Sequence, residues 1–289
     1  MGDQAQVLEN NGKNITIEIN KKKELLKIEI NLYGPKKISP INFLNKGDYF
    51  FVSLKDNNYY LMQPPIINGS IIVLNPYNGN ILSLVGGTSY NESNFNRATQ
   101  AYRQPGSSIK PFIYASALSE GKFVPNSLIL DSQISLYQGP KLPIWEPKNY
   151  SNKSYGNISF RKSLETSNNL VTLKIGLDLG INKINNFFND ISLYENNNKE
   201  IYSLLLGSVE QNLLNLVKSY SIFVNGGYMI KPKIIKKIVS DKGFNVDNSY
   251  FLKCQNCYFD KNARSYRKPT TSNKRKKVLN HLTSFQILN

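Results

Sequence analysis

The 289-residue chain is predicted to be an α+β protein with a small all-β part in front. Three observations carry this reading. Before residue 63, apolar residues alternate with polar ones at a period of two. Between Ile71 and Val85, two apolar runs flank a turn. From Ser107 onward, apolar residues recur at helical spacing. Strands gathered first and helices after them indicate α+β rather than an alternating α/β order.

The elements follow in order. Ile15, Ile17 and Ile19 alternate with polar residues, and so do Leu26, Ile28, Ile30 and Leu32. Aromatic-rich runs at 49–54 and 59–62 come next. Short polar breaks between such runs predict a small antiparallel sheet or barrel. Gln63-Pro64-Pro65 punctuates the chain. The expected domains are therefore 1–66, all β, and 67–289. Ile71–Leu74 and Ile81–Val85 flank a turn of polar and small residues, which predicts a hairpin. Their near-continuous apolar character predicts strands buried on both faces. Helices are expected over 107–120, 159–167, 170–179, 182–189 and 213–224. Gly121, Gly180 and Gly226 sit where helix C-caps belong. The stretch 241–277 is polar and basic and reads as an exposed excursion. Residues 279–289 resume an apolar pattern and stop inside it, so the chain is expected to be truncated.

Hydrophobic residues make up 40% of the chain and aromatic ones 11%, enough for a packed core. No run approaches the roughly 18 apolar residues of a membrane helix, and no signal peptide is visible. The net charge is +16. Such an excess suits nucleic acid, acidic membranes or anionic polymers. The basic residues are scattered, though, and read best as solvated faces. Their densest cluster is Lys274, Arg275, Lys276 and Lys277. Cys254 and Cys257 form a C-x-x-C pair with one histidine, His281, elsewhere. A structural zinc site needs about four ligands, so no metal or cofactor is expected. A local disulfide and two free thiols both remain open.

The segment Arg103-Gln104-Pro105-Gly106-Ser107-Ser108-Ile109-Lys110-Pro111-Phe112 carries chemistry. Proline fits only the first turn of a helix, so a helix should start at Ser107 or Ser108. Ser107 and Lys110 are then a turn apart on one face. Burial and the positive end of the helix would both lower the lysine's pKa. A neutral amine could take the serine's proton, and serine needs such a base. The S-x-x-K pattern alone is weak, since Ser159 and Lys162 match it by chance. The strand and Gly-rich turn before Ser107, with Pro105-Gly106 and Pro111 around the pair, set the first match apart. No histidine precedes His281, so a Ser-His-Asp triad would have to use that residue. A second constellation is Ser167-Asn168-Asn169. Its hydroxyl can relay a proton and its amide can hold a carbonyl and the lysine. Ser89-Tyr90-Asn91 fits the same pattern, and a helix N-cap at Ser167 or Asn168 is the plain alternative.

S-x-x-K and S-x-N are motifs of penicillin-binding proteins and β-lactamases. Beyond them, Phe95-Asn96-Arg97-Ala98-Thr99-Gln100-Ala101, Arg103 to Ser107, Val85-Gly86-Gly87 and Trp145-Glu146-Pro147-Lys148-Asn149 resemble the class A, bifunctional penicillin-binding proteins. Leu206-Gly207-Ser208 and Asn225-Gly226-Gly227 resemble later landmarks of that family. The resemblance implies a penicillin-binding-protein/β-lactamase-like transpeptidase fold, an antiparallel sheet with helices on both sides. It also implies a preceding OB-like domain. Ser107 would be the acylated nucleophile and Lys110 its general base. Ser167 and Asn169 would form the second motif, and the Ser107 N–H half of the oxyanion hole. The implied partners are D-Ala-D-Ala stem peptides of peptidoglycan and β-lactams, with no nucleic acid. The parent protein would be membrane-anchored at the periplasmic face of the bacterial inner membrane and would carry a glycosyltransferase domain.

One departure concerns the third motif, Lys-Thr-Gly, which is missing. Lys268-Pro269-Thr270-Thr271 is only superficially like it. Residues 282–289 resemble the helix that precedes the motif, so its place is expected beyond Asn289. The chain alone is expected to be inactive or nearly so. A serine β-lactamase or D,D-carboxypeptidase on the same fold is one alternative. Another is a basic OB-like binding module, with Tyr49, Phe50, Phe51, Tyr59 and Tyr60 stacking on bases rather than packing across strands.

Overall fold

A computed structural model describes residues 3–27, 31–32, 34, 36–62, 67–91, 93–194, 201–235, 238–243, 252–255, 270–273 and 275–289. The chain forms two compact units, Met1–Gly69 with Gly87–Asn94, and Ser70–Gly86 with Phe95–Asn289.

The first unit is built on β1 (Asp3–Asn10), β2 (Ile15–Ile19), β3 (Lys22–Leu26), β4 (Tyr49–Lys55) and β5 (Asn58–Met62). Their order is β3-β2-β1-β4-β5, and every pairing is antiparallel. Two tight turns set the register. Asn20 and Lys21 between β2 and β3, and Asp56 and Asn57 between β4 and β5, all have positive φ. Paired left-handed residues of this kind match the right-handed twist of a hairpin. Alternation then puts Ala5, Val7, Ile15, Ile17, Ile19, Leu26 and Val52 on one buried face, joined by Leu44. β3 and β5 approach each other. Beside them, Asn31 Nδ2 donates to the Lys27 and Tyr59 carbonyls and its Oδ1 accepts from Leu61 N–H. One side chain thus ties the chain after β3 to β5. The turn at Asn20-Lys21 starts pairing at Lys22, and β3 shares Leu26 with the expected alternation from Leu26 to Leu32. Ile28 and Ile30 fall outside the described residues, as do Gln63, Pro64 and Pro65 at the expected boundary. Among the aromatics, Phe50 and Tyr59 pack against the core, whereas Tyr49 and Phe51 are exposed.

The second unit opens with a hairpin of β6 (Ile71–Leu74) and β7 (Ile81–Val85). It continues with α1 (Lys110–Ser119), β8 (Leu128–Asp131), β9 (Gly156–Ser159), α2 (Phe160–Glu165), α3 (Asn169–Leu179), α4 (Ile181–Asp190) and α5 (Leu213–Val224). A short pair, β10 (Leu252–Gln255) and β11 (Thr270–Asn273), and then α6 (His281–Leu288) complete it. The central element is α1. Residues Phe112 to Ala117 are buried without interruption, and α2, α3, α4 and α6 all lie against this helix. Val171, Leu173 and Ile175 of α3, Leu204, Leu205, Ile222 and Phe223 share its core. A helix buried all round is a rigid base for whatever its first turn carries.

Two expectations fail here. The β6–β7 hairpin is not buried on both faces. Ile71, Val73, Leu82 and Val85 are exposed, because α5 packs on the hairpin and, among the described residues, nothing covers these side chains. The short β8–β9 pair was not expected at all. Ser159, assigned to a helix, caps α2 instead, its side chain accepting from Lys162 N–H. That explains the chance S-x-x-K match. Gly121, Gly180 and Gly226 do follow helices with positive φ. Cys257, Lys268 and Pro269 lie outside the described residues. Among the described residues no helix is long and apolar enough to cross a membrane.

Candidate active site

The turn that carries Ser107 is held from both sides. Arg103 and Gln211 exchange backbone hydrogen bonds at 3.0 and 2.9 Å, and Gly106 N–H donates to the Gly207 carbonyl at 3.1 Å. Residues 207–211 therefore run along the approach to the serine. This contact requires glycine at 207: its φ is +78°, and a Cβ there would sit 2.1 Å from the Gly106 carbonyl oxygen. Inside the turn, Ser108 Oγ donates to the Pro105 carbonyl at 2.7 Å. From α5, the Tyr220 hydroxyl donates to the Ser108 carbonyl at 2.5 Å. Burial raises the Tyr220 pKa, so this hydroxyl stays a donor at neutral pH.

Ser107 sits in a 3-10 turn, Gly106–Ile109, which runs into α1 at Lys110. The α-helix thus starts later than expected. Residues three apart are eclipsed in a 3-10 turn, so the Ser107–Lys110 spacing still places both on one face. Ser107 is exposed, and its Oγ has no hydrogen-bond partner among the described residues.

Lys110 is 1% exposed. Its Nζ donates to the Ser167 carbonyl at 2.6 Å, to Ser167 Oγ at 3.1 Å and to Asn169 Oδ1 at 2.6 Å. Burial lowers its pKa from 10.5 to about 8. The amine's hydrogen bonds therefore go to the second constellation, not to Ser107. Ser167 joins α2 to α3 with φ +52°, a left-handed turn for a serine. In that conformation both its carbonyl and its hydroxyl face the amine. Asn168 is the α3 N-cap, its Oδ1 accepting from Val171 N–H at 2.9 Å. Asn169 is fixed by three contacts: Oδ1 to Lys110, Nδ2 to the Lys148 carbonyl at 2.8 Å, and its N–H to Asn149 Oδ1 at 2.9 Å.

Lys110, Ser167 and Asn169 thus meet through hydrogen bonds, with Ser107 one turn from Lys110. The competing Ser89 and Asn91 belong to the other compact unit. The N-cap that sequence reasoning offered at Ser167 or Asn168 is Asn168; Asp131, Tyr220, Gln211 and the roles of Lys148 and Asn149 were missed. Lys148, Asn149 and Gly207 did lie in segments marked as family landmarks, but nothing in their order indicated what each one holds.

Residues 69–281 match the penicillin binding protein transpeptidase domain. With the fold and the site geometry above, that match defines the class, and the chain belongs to this family. The relatives it resembles are penicillin-binding proteins 1A. One, from Rickettsia felis, is 39% identical over 214 residues, 73% of this chain and 27% of the relative. Another, from Pseudomonas aeruginosa, is 36% identical over 214 residues, 74% of this chain and 26% of the relative. The crystal structure of penicillin-binding protein 1A from Haemophilus influenzae superposes with a TM-score of 0.75 at 31% identity, over 84% of this chain and 36% of that one. The chain spans about a quarter of the length of these curated relatives.

Proposed function

We propose that this chain carries the acylation half of a peptidoglycan D,D-transpeptidase and that Ser107 is its nucleophile. The observation that carries this reading is the buried Lys110 amine. It is lodged between Ser167 and Asn169 and sits one turn from an exposed serine hydroxyl. In the proposed reaction Ser107 Oγ attacks the penultimate D-Ala carbonyl of a stem peptide while neutral Lys110 takes its proton. The Ser107 N–H stabilises the developing oxyanion. Ser167 Oγ, bonded to Lys110 Nζ, relays the proton to the departing D-Ala amine. The acyl group then passes to an acceptor amine. A β-lactam would acylate Ser107 by the same attack and remain bound.

The 289 residues contain no Lys-Thr-Gly. Loss of one oxyanion donor alone typically lowers rates by about 10²–10³, so labelling of this chain is expected to be slow. We assign residues 1–66 to an OB-like domain and 67–289 to the transpeptidase domain. The strand order β3-β2-β1-β4-β5 and the Asn31 tie toward closure support the former, since the OB-fold is a partly open five-stranded barrel. The whole protein would act at the periplasmic face of the inner membrane, anchored elsewhere in its sequence.

The test is labelled penicillin with hydrolysis followed in parallel. A slowly formed, stable adduct supports the proposal. Turnover without an adduct would instead identify a β-lactamase or carboxypeptidase. The exposed Tyr49 and Phe51 keep one further reading testable: salt-sensitive oligonucleotide binding by the chain would favour a binding module, and none is expected at low salt.

A further inference from the structure

We propose that Asp131, remote in sequence from every motif, is a positioning residue for Ser167 and Asn169. This rests on the acylation reading above. Asp131 ends β8 and is 0% exposed. Such a carboxylate needs donors around it, and three N–H groups supply them. Asn149 Nδ2 lies 3.0 and 3.1 Å from its two oxygens, Asn168 Nδ2 2.8 Å from Oδ2, and Tyr155 N–H 2.9 Å from Oδ2. Lys174 of α3 supplies nearby positive charge while bonding the Leu130 carbonyl and Ser132 Oγ on either side of Asp131.

Both asparagines then act on the site. Asn168 uses its amide nitrogen on Asp131, which aims its Oδ1 at Val171 N–H and starts α3 directly after Ser167. Asn149 uses its amide nitrogen on Asp131 and on the Lys153 carbonyl at 2.9 Å. Its Oδ1 is thereby aimed at the N–H groups of Asn169 and Leu170, at 2.9 and 3.3 Å. An amide has one accepting and one donating end, and all neighbours of Asn149 require the same orientation. A single carboxylate therefore fixes Asn168, which lies between Ser167 and Asn169, and through Asn149 the backbone of Asn169 and Leu170, and through them the oxygens that hold the Lys110 amine.

Asp131→Asn keeps the shape and inverts one end. Its oxygen can satisfy Asn168 and Tyr155, which leaves its NH₂ against the NH₂ of Asn149. Asn149 must turn, and Asn169 loses its acceptor. Asn149→Asp instead sets carboxylate against carboxylate. The double variant Asp131→Asn/Asn149→Asp restores a donor–acceptor pair between the two positions.

The experiment uses the full chain and these three variants, at a temperature where each is folded by circular dichroism. Two quantities are read: amide hydrogen exchange at Asn169 and Leu170, with Ile175 deeper in α3 as reference, and the rate of Ser107 labelling by penicillin. We expect each single variant to speed exchange at 169 and 170 and to slow labelling by roughly 10- to 100-fold, the scale of an ångström-size misplacement. The double variant should recover part of both, since the Lys153 carbonyl still loses its donor. Unchanged exchange at 169 and 170 in Asp131→Asn overturns the inference, and so does a double variant no better than the singles. If the unsubstituted chain takes its label at a residue other than Ser107, the acylation reading falls, and the exchange pattern still decides whether Asp131 holds the motif.

Discussion

Gly207→Ala tests how tightly the nucleophile turn is clamped. At φ +78° an alanine costs about 1–2 kcal/mol through its Cβ alone. The clash is added to that. The Cβ would stand 2.1 Å from the Gly106 carbonyl oxygen, where ordinary contact begins at 3.4 Å. The carbonyl must retreat by about 1.3 Å, and the Gly106 N–H bond to Gly207 resists the movement. Overpacking of this kind adds about 1–3 kcal/mol, for a total near 3 kcal/mol. In a domain of this size each kcal/mol lowers the melting temperature by about 2–4 °C, so a fall of about 6–12 °C is expected. Gly121→Ala is the control. Its φ is +70°, but nothing lies within 4 Å of its Cβ position. It carries the conformational cost, about 1.5 kcal/mol, without the clash, and should melt only about 3–6 °C lower. Thermal unfolding by circular dichroism reads both. Penicillin labelling should fall by about 10²-fold in Gly207→Ala and stay unchanged in Gly121→Ala. Equal melting temperatures and equal labelling in the two variants would refute the clamp.

Other outcomes follow from the same geometry. Tyr220→Phe removes the tether to the Ser108 carbonyl but keeps the ring packed edge-on against Phe112 at 4.9 Å. It should cost about 1 kcal/mol in urea unfolding and slow Ser107 labelling. Because Lys110 must lose its proton to act as base, the labelling rate should rise with pH through about 8 and level off above it. Stability should show the same group. The folded value, about 8, lies below the ordinary 10.5, so between these values the unfolded chain binds more protons. Stability therefore rises with pH across that window, and the penalty for burying the charged amine is present in full below it. Lys110→Met should flatten that rise in denaturant titrations at a series of pH values.

The legible parts of the sequence were those with local signals. Pro111 marks a first turn by lacking an N–H, and glycines mark helix ends through positive φ, so α1, α3, α4 and α5 could be placed closely. β1 could not, because only Ala5 and Val7 of its residues point into the core. β8 and β9 are four residues each, too short for a period to show. The hairpin misled because composition reports that a strand is apolar, not what covers it. At the site, the spacing of Ser107 and Lys110 predicted their shared face. The partners of the Lys110 amine lie 57 and 59 positions away, and only the fold brings them there. Asp131 was invisible for the same reason, since its meaning depends on donors from residues 149, 155 and 168.

The most direct measurement is the site of the penicillin adduct. The chain, Ser107→Ala and Lys110→Ala are each incubated for hours with labelled penicillin, then analysed by intact mass and peptide mapping. A single adduct forming slowly on Ser107, lost in Ser107→Ala and strongly diminished in Lys110→Ala, is the predicted result. An adduct that persists in Ser107→Ala, or forms as fast without Lys110, would contradict the assignment of nucleophile and base.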